Sequence, residues 1–225
     1  MGFSSGCVMS LIAYTPWFFS FFSYPVTRVV PSLSISPYTV YRYLISDIAA
    51  AATAEIRAAS TPEQRRELKR KRLDFIVPGA VLSRRCLEGL VSASGLMVLD
   101  FDHLGPFPAG LDAGLSVLSL VAPLWDKFNS VLGFVSPSGD GYKLIIDIDA
   151  ALRDKGGINP RCALTTAQER QAAAAAYKSI YEDCGEVCAR MGFELDKSGS
   201  DITRACYLPH DPQPRIAYEW MPRVC

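Results

Sequence analysis

Leu96-Met97-Val98-Leu99-Asp100-Phe101-Asp102 is an unbroken apolar run that ends in two carboxylates. Opened by Gly95, it predicts a short buried strand over Leu96–Phe101. Working forward, Leu111–Asn129 places Leu115, Leu118, Val121, Ala122 and Trp125 at helical spacing, with Pro123 expected to bend or shorten the helix. Val131–Ser136 reads as a second strand and Tyr142–Ile148 as a third. Pro137-Ser138-Gly139-Asp140-Gly141 between them is a turn, so the pair is a hairpin. Residues 153–164 read as a loop. Thr166-Ala167-Gln168-Glu169 is a capping box. The helix behind it carries Ala173, Ala176, Tyr177, Ile180, Cys184, Val187, Cys188 and Met191 on one stripe, and Gly192 can stop it. Ile202–Leu208 reads as a last strand, ended by Pro209. The order β-α-β-β-α-β predicts an α+β fold of the ferredoxin-like, split βαβ kind: an antiparallel sheet with helices on one face and strands one and three at its centre.

Backward from Gly95 the pattern is less regular. Residues 34–94 are expected to form an N-terminal α/β module ahead of a 95–225 core. Residues 31–37 read as a loop, and Ser36-Pro37 as the start of a helix reaching about Ala59, alanine-rich from Ile48. Thr61-Pro62-Glu63-Gln64 starts another helix, with a Thr cap, Pro at the first position and Gln at the third. It carries Arg65, Arg66, Lys69, Arg70, Lys71 and Arg72, which read as a solvated face or as contacts to a phosphate backbone. Residues 1–33 are an apolar leader without a charged side chain from 2 to 27. Pro16, Pro25 and several serines interrupt it, and no Lys or Arg precedes it, so it makes a poor membrane span and a poor signal peptide. The expectation is a partly disordered leader that runs into a buried strand near Trp17–Phe22.

The 225 residues hold 23 Lys and Arg against 23 Asp and Glu, with 49% hydrophobic residues, which excludes a disordered chain and a uniformly basic nucleic-acid binder. Any nucleic-acid site must be a local patch. Seven cysteines, an odd number without framework spacing, point to free thiols in a reducing, cytoplasmic setting. No stable membrane association is expected.

Several residue groups carry chemistry. Asp100 and Asp102 stand at i and i+2 on one face of a strand, where two carboxylates repel unless a cation such as Mg²⁺ or Mn²⁺ lies between them. Ser136, Ser138, Gly139 and Gly141 form a small-residue turn whose backbone N–H groups suit a phosphate, and Lys143 follows it as a point charge. Topology brings Lys143 near Asp100 and Asp102. Asp196, between the last helix and the last strand, is a third candidate ligand, with Glu194 and Asp201 as competitors. Arg204 needs a charged partner or a ligand. His210 reads equally as a phosphate contact or a turn cap. Cys184 and Cys188 read as buried thiols before half a zinc site.

Together these pieces resemble the archaeo-eukaryotic primase (primase-polymerase) superfamily, most closely the VirE N-terminal domain-like family of bacterial mobile elements. The resemblance rests on Leu99-Asp100-Phe101-Asp102, Ser136 to Lys143 and Leu195-Asp196. It rests also on Ser94-Gly95-Leu96, on Asp201-Ile202-Thr203-Arg204 and on Asp211-Pro212, and it covers about residues 40–212. Two features depart from it: Lys143 stands where the superfamily usually has His, and Phe75 to Arg85 match only loosely.

The resemblance implies an RRM-like catalytic core and a nucleotidyl transferase that copies a nucleic-acid template in the replication of a mobile element. Asp100, Asp102 and Asp196 would be catalytic and hold Mg²⁺ or Mn²⁺. Ser136, Ser138, Gly139, Gly141, Lys143, Arg204 and His210 would bind the nucleoside triphosphate. Arg65, Arg66, Lys69, Arg70, Arg84 and Arg85 would hold the backbone of single-stranded or primed DNA (or RNA). The chain has no G-x-x-x-x-G-K-[ST], so a helicase would act in trans. One alternative is a catalytically inactive nucleic-acid-binding module of the same fold. Another is an aspartyl-phosphate (haloacid dehalogenase-like) phosphatase, which wants Thr or Val at the position of Leu104 and a parallel sheet.

Overall fold

A strand that is apolar on both faces needs cover on both. The computed structural model, which describes residues 17–104 and 113–222, supplies it from two directions. The N-terminal part runs β1 (Phe19–Phe22), β2 (Leu33–Ile35), α1 (Pro37–Leu44), α2 (Ala50–Ala58), α3 (Pro62–Arg72), β3 (Phe75–Val77), β4 (Ala80–Leu82) and β5 (Leu90–Ala93). The rest runs β6 (Leu96–Phe101), α4 (Ala113–Lys127), β7 (Ser130–Val135), β8 (Tyr142–Asp147), α5 (Asp149–Gly156), α6 (Ala167–Arg190), β9 (Cys206–Tyr207) and β10 (Arg215–Ile216). The fold is mixed α+β, and every strand pairing is antiparallel.

The second sheet has the order β10-β7-β8-β6, so β6 and β8 are neighbours as the split βαβ pattern requires. Met97, Leu99 and Phe101 of β6 share one core with Tyr142, Leu144 and Ile146 of β8, Val121 and Leu124 of α4, and the α6 stripe. The opposite rows, Leu96, Val98, Leu132, Phe134 and Ile145, pack on Phe19, Ile35, Val40, Leu44 and Ile76 of the N-terminal part. The expectation of helices on one face is therefore incomplete. The second face is covered too, which is why these strands read as continuous apolar runs and do not alternate.

The fourth core strand differs from expectation. Residues 201–204 form a turn, with the Thr203 N–H on Asp201 Oδ1 at 2.8 Å and the Arg204 N–H on Asp201 O at 2.9 Å. This local Asx turn delays the strand to Cys206–Tyr207. That strand joins β3 in the first sheet, order β2-β1-β3-β9, and does not lie beside β6. The two layers are thus tied by a strand exchanged between them, and β1 and β2 bring residues of the expected leader into the first sheet.

The other local expectations divide. Phe19–Phe22 is the buried strand expected near Trp17–Phe22. Leu33–Ile35 pairs with β1 and is a strand where a loop was expected. The helix expected from Pro37 to Ala59 breaks after Leu44: the Ser46 hydroxyl donates to Tyr43 O at 2.6 Å and competes with the helical ladder. Residues 149–156 are helical where a loop was expected from 153, closed by Gly157 at φ 60°. The capping box at Thr166 and Glu169 forms in full, with the Glu169 N–H on Thr166 Oγ1 at 3.1 Å. Helix α4 continues through Pro123, while Leu115 and Leu118 of its stripe lie outside the described side chains. Cys184 and Cys188 are buried free thiols. Among the described residues no helix is long and apolar enough to cross a membrane.

Phe134 is fully buried between the two layers. Phe134→Ala is expected to lower the unfolding free energy by about 3–5 kcal/mol. In a denaturant titration followed by circular dichroism and by tryptophan fluorescence, both signals should move together in one transition. Separate transitions would mean that the layers fold independently.

Candidate active site

Side-chain alternation places Asp100 in the row of Leu96 and Val98, and Lys143 in the row of Ile145. The two are register partners across β6 and β8. Both therefore emerge on the face that meets the N-terminal part, just where its apolar cover ends. The Lys143 ammonium donates to Asp100 Oδ2, and the side chains are only 9% and 20% exposed. Burial works against the charge on Lys143, but Asp100 outweighs it and holds the ammonium above the ordinary lysine value. Asp100 Oδ1 is buried without a hydrogen-bond partner.

Asp196 reaches the same place from α6. Its N–H donates to Asp100 O at 3.0 Å, the contact that occupies the open side of β6. Its carboxylate caps the 3-10 turn at Lys197–Ser200, accepting from the Ser198 N–H at 2.9 Å and from the Ser198 hydroxyl. Burial pushes this carboxyl up, but the Ser198 bonds and then Arg204, at 3.9 Å, bring it below the usual range. Asp102 follows β6 and is exposed at the mouth of the cleft, its carboxyl partly screened from water. Its carboxyl is raised, first by the part that is buried and then by Asp100, with Asp196 adding and Lys143 and Lys69 opposing.

The turn after β7 is self-contained. Ser136 N–H bonds Gly141 O at 2.8 Å, Gly139 N–H bonds Ser136 O at 2.9 Å, and Gly141 N–H bonds Ser136 Oγ at 3.1 Å. These three amides are occupied within the turn and do not point to a phosphate. Gly141 is required by close approach, since a Cβ would lie 2.5 Å from Phe101 O. Gly139, at φ 83°, packs beneath Arg57. Both glycines shape the turn. Ser138 accepts from Lys69 Nζ at 3.1 Å, which brings α3 onto the site. Burial lowers the Lys69 ammonium, and the nearby Lys143 lowers it further.

A cleft of about 430 Å³ opens here, lined by Arg65, Arg66, Lys69, Asp100, Asp102, His103, Ser136, Ser138, Asp140, Lys143, Asp196, Arg204 and Tyr207. A second polar groove of about 440 Å³ shares Arg66, Lys69, Arg204 and Tyr207 with it and adds Arg70 and Arg85. The basic helix is thus not wholly a solvated face: Arg65, Arg66, Lys69 and Arg70 line the cleft and the groove. Arg85 donates to Val26 O at 2.8 Å and lies over the Phe75 ring.

Besides Gly139 and Gly141, which line neither cavity, two expected residues lie elsewhere. Arg84 is exposed and lines neither cavity. His210 is held between the α1–α2 connection and α2, its N–H on Thr53 Oγ1 at 2.8 Å and its Nδ1 2.9 Å from Ser46 O. Asp211 is a clamp as well: it accepts from the Val135 N–H at 2.8 Å and donates its own N–H to Leu44 O. Sequence reasoning passed over His103, which lies at the cleft mouth 3.6 Å from Asp140. Its place directly after the Asp pair was the available signal. Tyr207, which lines both cavities, carried no signal.

The carboxylate oxygens of Asp100, Asp102 and Asp196 suit a hard divalent cation in donor chemistry, and the orphaned Asp100 Oδ1 is an acceptor that needs a partner. Among the described residues, however, no three His, Cys, Asp or Glu side chains stand grouped so that they could hold a metal ion. Lys143 engages Asp100 and Ser198 engages Asp196.

Comparison with known proteins adds one relation. Residues 67–215, which run from within α3 to the start of β10, match the family described as BT4734-like, N-terminal domain. No curated protein and no solved structure matches the chain.

Lys143→Met leaves Asp100 half-buried and unpaired and is expected to lower the unfolding free energy by about 2 kcal/mol, short of the roughly 3–5 kcal/mol of a fully buried pair. The double variant Asp100→Asn, Lys143→Met should recover most of that loss, and an additive double-mutant cycle in urea would refute the coupling. Asp102 behaves oppositely. Its folded pKa lies above its unfolded one, so the stability it contributes is whole below about pH 4 and lost as pH rises through the folded value. Asp102→Asn should therefore raise the melting temperature slightly at pH 7, by less than about 1 kcal/mol in free energy, and should have no such effect near pH 3.

Proposed function

The chain belongs to the BT4734-like N-terminal domain family, and we propose that it is a primase-polymerase-type nucleotidyl transferase acting on a nucleic-acid template. One observation carries the reading: a single cleft gathers Asp100, Asp102 and Asp196 with Lys69, Lys143 and Arg204 and continues into a groove lined by Arg66, Arg70 and Arg85. Carboxylates beside a cluster of cations suit a reaction in which a polyphosphate is both held and opened. The VirE N-terminal domain-like resemblance points to the same chemistry and to the replication of mobile elements.

Each residue has a role that follows from its place. Lys69 and Lys143 lie at the cleft floor and neutralise the phosphates of an incoming nucleoside triphosphate. Arg204, close to Asp196, reaches the same phosphates from the groove side. Arg65 lines the cleft, and Arg66 lines both cleft and groove. With Arg70 and Arg85 they follow the backbone of a single strand, and Tyr207 between the two cavities offers a ring to a base. Asp100, Asp102 and Asp196 do not stand grouped around one point here and would hold divalent cations only once Lys143 and Ser198 release Asp100 and Asp196; such ions would lower the pKa of an attacking 3′-hydroxyl and stabilise charge on phosphorus. The cationic helix α3 is a local patch on a chain of zero net charge, so attraction to nucleic acid is confined to this face.

A second reading, a binding module without turnover, is favoured by the Lys143 ammonium on Asp100. The phosphatase reading is weakened by the antiparallel pairing of β6 with β8.

Primer extension separates the first two readings. With Mn²⁺, nucleoside triphosphates and a primed single-stranded template, the wild type should extend the primer and the folded Asp102→Asn variant should not. Binding without extension would select the module. The groove is tested by salt. Replacing Arg65, Arg66 and Arg70 by Ala should flatten the log–log salt dependence of single-strand affinity by about 2, at roughly 0.7 per lost phosphate contact. An unchanged slope would remove α3 from the interface.

A further inference from the structure

Within that reading, we infer that Lys143 is a built-in counter-ion that keeps a divalent cation away from Asp100. The inference rests on the proposed metal role of the carboxylates and goes beyond it, because it concerns when Asp100 is free to act.

Three observations lead to it. First, the Lys143 ammonium donates directly to Asp100 Oδ2, and strand register, not a flexible tether, brings the two together. Second, the pair is shielded: the Lys143 side chain is 9% exposed, and Cys206 and Leu208 are fully or nearly buried on the same face. Water and salt screen such a pair weakly, so a second cation arriving at Asp100 meets an ammonium almost undiminished in charge. Third, the neighbouring charges are already matched. Asp196 stands beside Arg204, and Lys69 lies near Asp102, Asp140 and Asp100. Asp100 Oδ1 is the acceptor left without a partner, on the same carboxylate whose other oxygen Lys143 holds.

The groups that face Lys143 are Asp100 from its own sheet, Asp102 after β6, Asp196 after α6, Lys69 from α3, and Cys206 and Tyr207 from β9. Lys69 is itself balanced by Asp102 and Asp140, so the contest at Asp100 is local: the Lys143 ammonium already occupies Oδ2, and a cation takes up that oxygen only when Lys143 has left it. An anionic phosphate in the cleft is a natural acceptor for the released ammonium, and the exchange conserves charge.

The test is Mn²⁺ binding to the full chain without nucleotide, read from the electron paramagnetic resonance signal of free Mn²⁺. Lys143→Gln keeps a donor for Asp100 and removes the charge, and Lys143→Met removes both. Each should bind Mn²⁺ about 10-fold tighter than the wild type or more, the scale expected when a unit charge is taken from beside a cation site. Asp100→Asn in the Lys143→Gln background should abolish the gain, and Mn²⁺ should raise the melting temperature of Lys143→Gln but not of the wild type. If Lys143→Met does not fold, the Gln variant carries the comparison. Wild-type binding as tight as the variants', and lost in Asp100→Asn, overturns the inference while leaving the metal reading intact. Folded variants that take up no Mn²⁺ overturn both.

Discussion

A sheet whose strands are apolar on both faces must be covered twice, and that constraint organises the rest of this molecule. Strands β6, β7 and β8 present one row of side chains to α4 and α6 and the opposite row to β1, β3 and α1. Exposing either row would forfeit the burial of several large side chains, each worth roughly 1.5–3 kcal/mol. The N-terminal part is therefore a second wall of the core. The strand β9 closes the arrangement by leaving the sheet of its own half and pairing with β3.

The candidate site follows from where that second wall stops. Along β6 the row facing the N-terminal part runs Leu96, Val98, Asp100, and along β8 it runs Ile145, Lys143. The apolar cover ends as the charges begin, and α3 meets the turn after β7 there through Lys69 and Ser138. Charges at a layer boundary are partly shielded from water without being wholly enclosed. In that setting opposite charges couple strongly. The raised Asp102 carboxyl is the mark of such a place: partial burial first, and the Asp100 charge second, disfavour its ionised form, at some loss of stability.

The fold and the site were legible to different degrees. Strands β6 and β8, the capping box of α6 and the Asp100–Lys143 proximity could be read from apolar runs, from Thr166 and Glu169, and from the rule that strands one and three are neighbours. The turn at Ser136–Gly141 was legible as a turn. Its amides were less so, because only the folded loop reveals that Ser136, Gly139 and Gly141 bond one another. The pairing of β9 could not be read, since Cys206 and Tyr207 suit either sheet. His210 was misplaced because a histidine beside Asp-Pro gives no hint that Thr53 and Ser46, more than 150 positions away, will hold it.

Sequence alone determined the local structure and the chemical inventory: the apolar strands, the capped helices, the Asp pair, the basic run on α3. These follow from periodicity and from side-chain type, which act over a few residues. Tertiary structure alone decided which charges meet. It put Lys143 onto Asp100, set Lys69 against Ser138, drew Arg66, Arg70, Arg85 and Arg204 into one groove and left Arg84 outside. The reason is physical. An ion pair or a cleft depends on distances of a few ångströms between segments remote in the chain, and those distances are fixed only when two layers bury the faces of a common sheet.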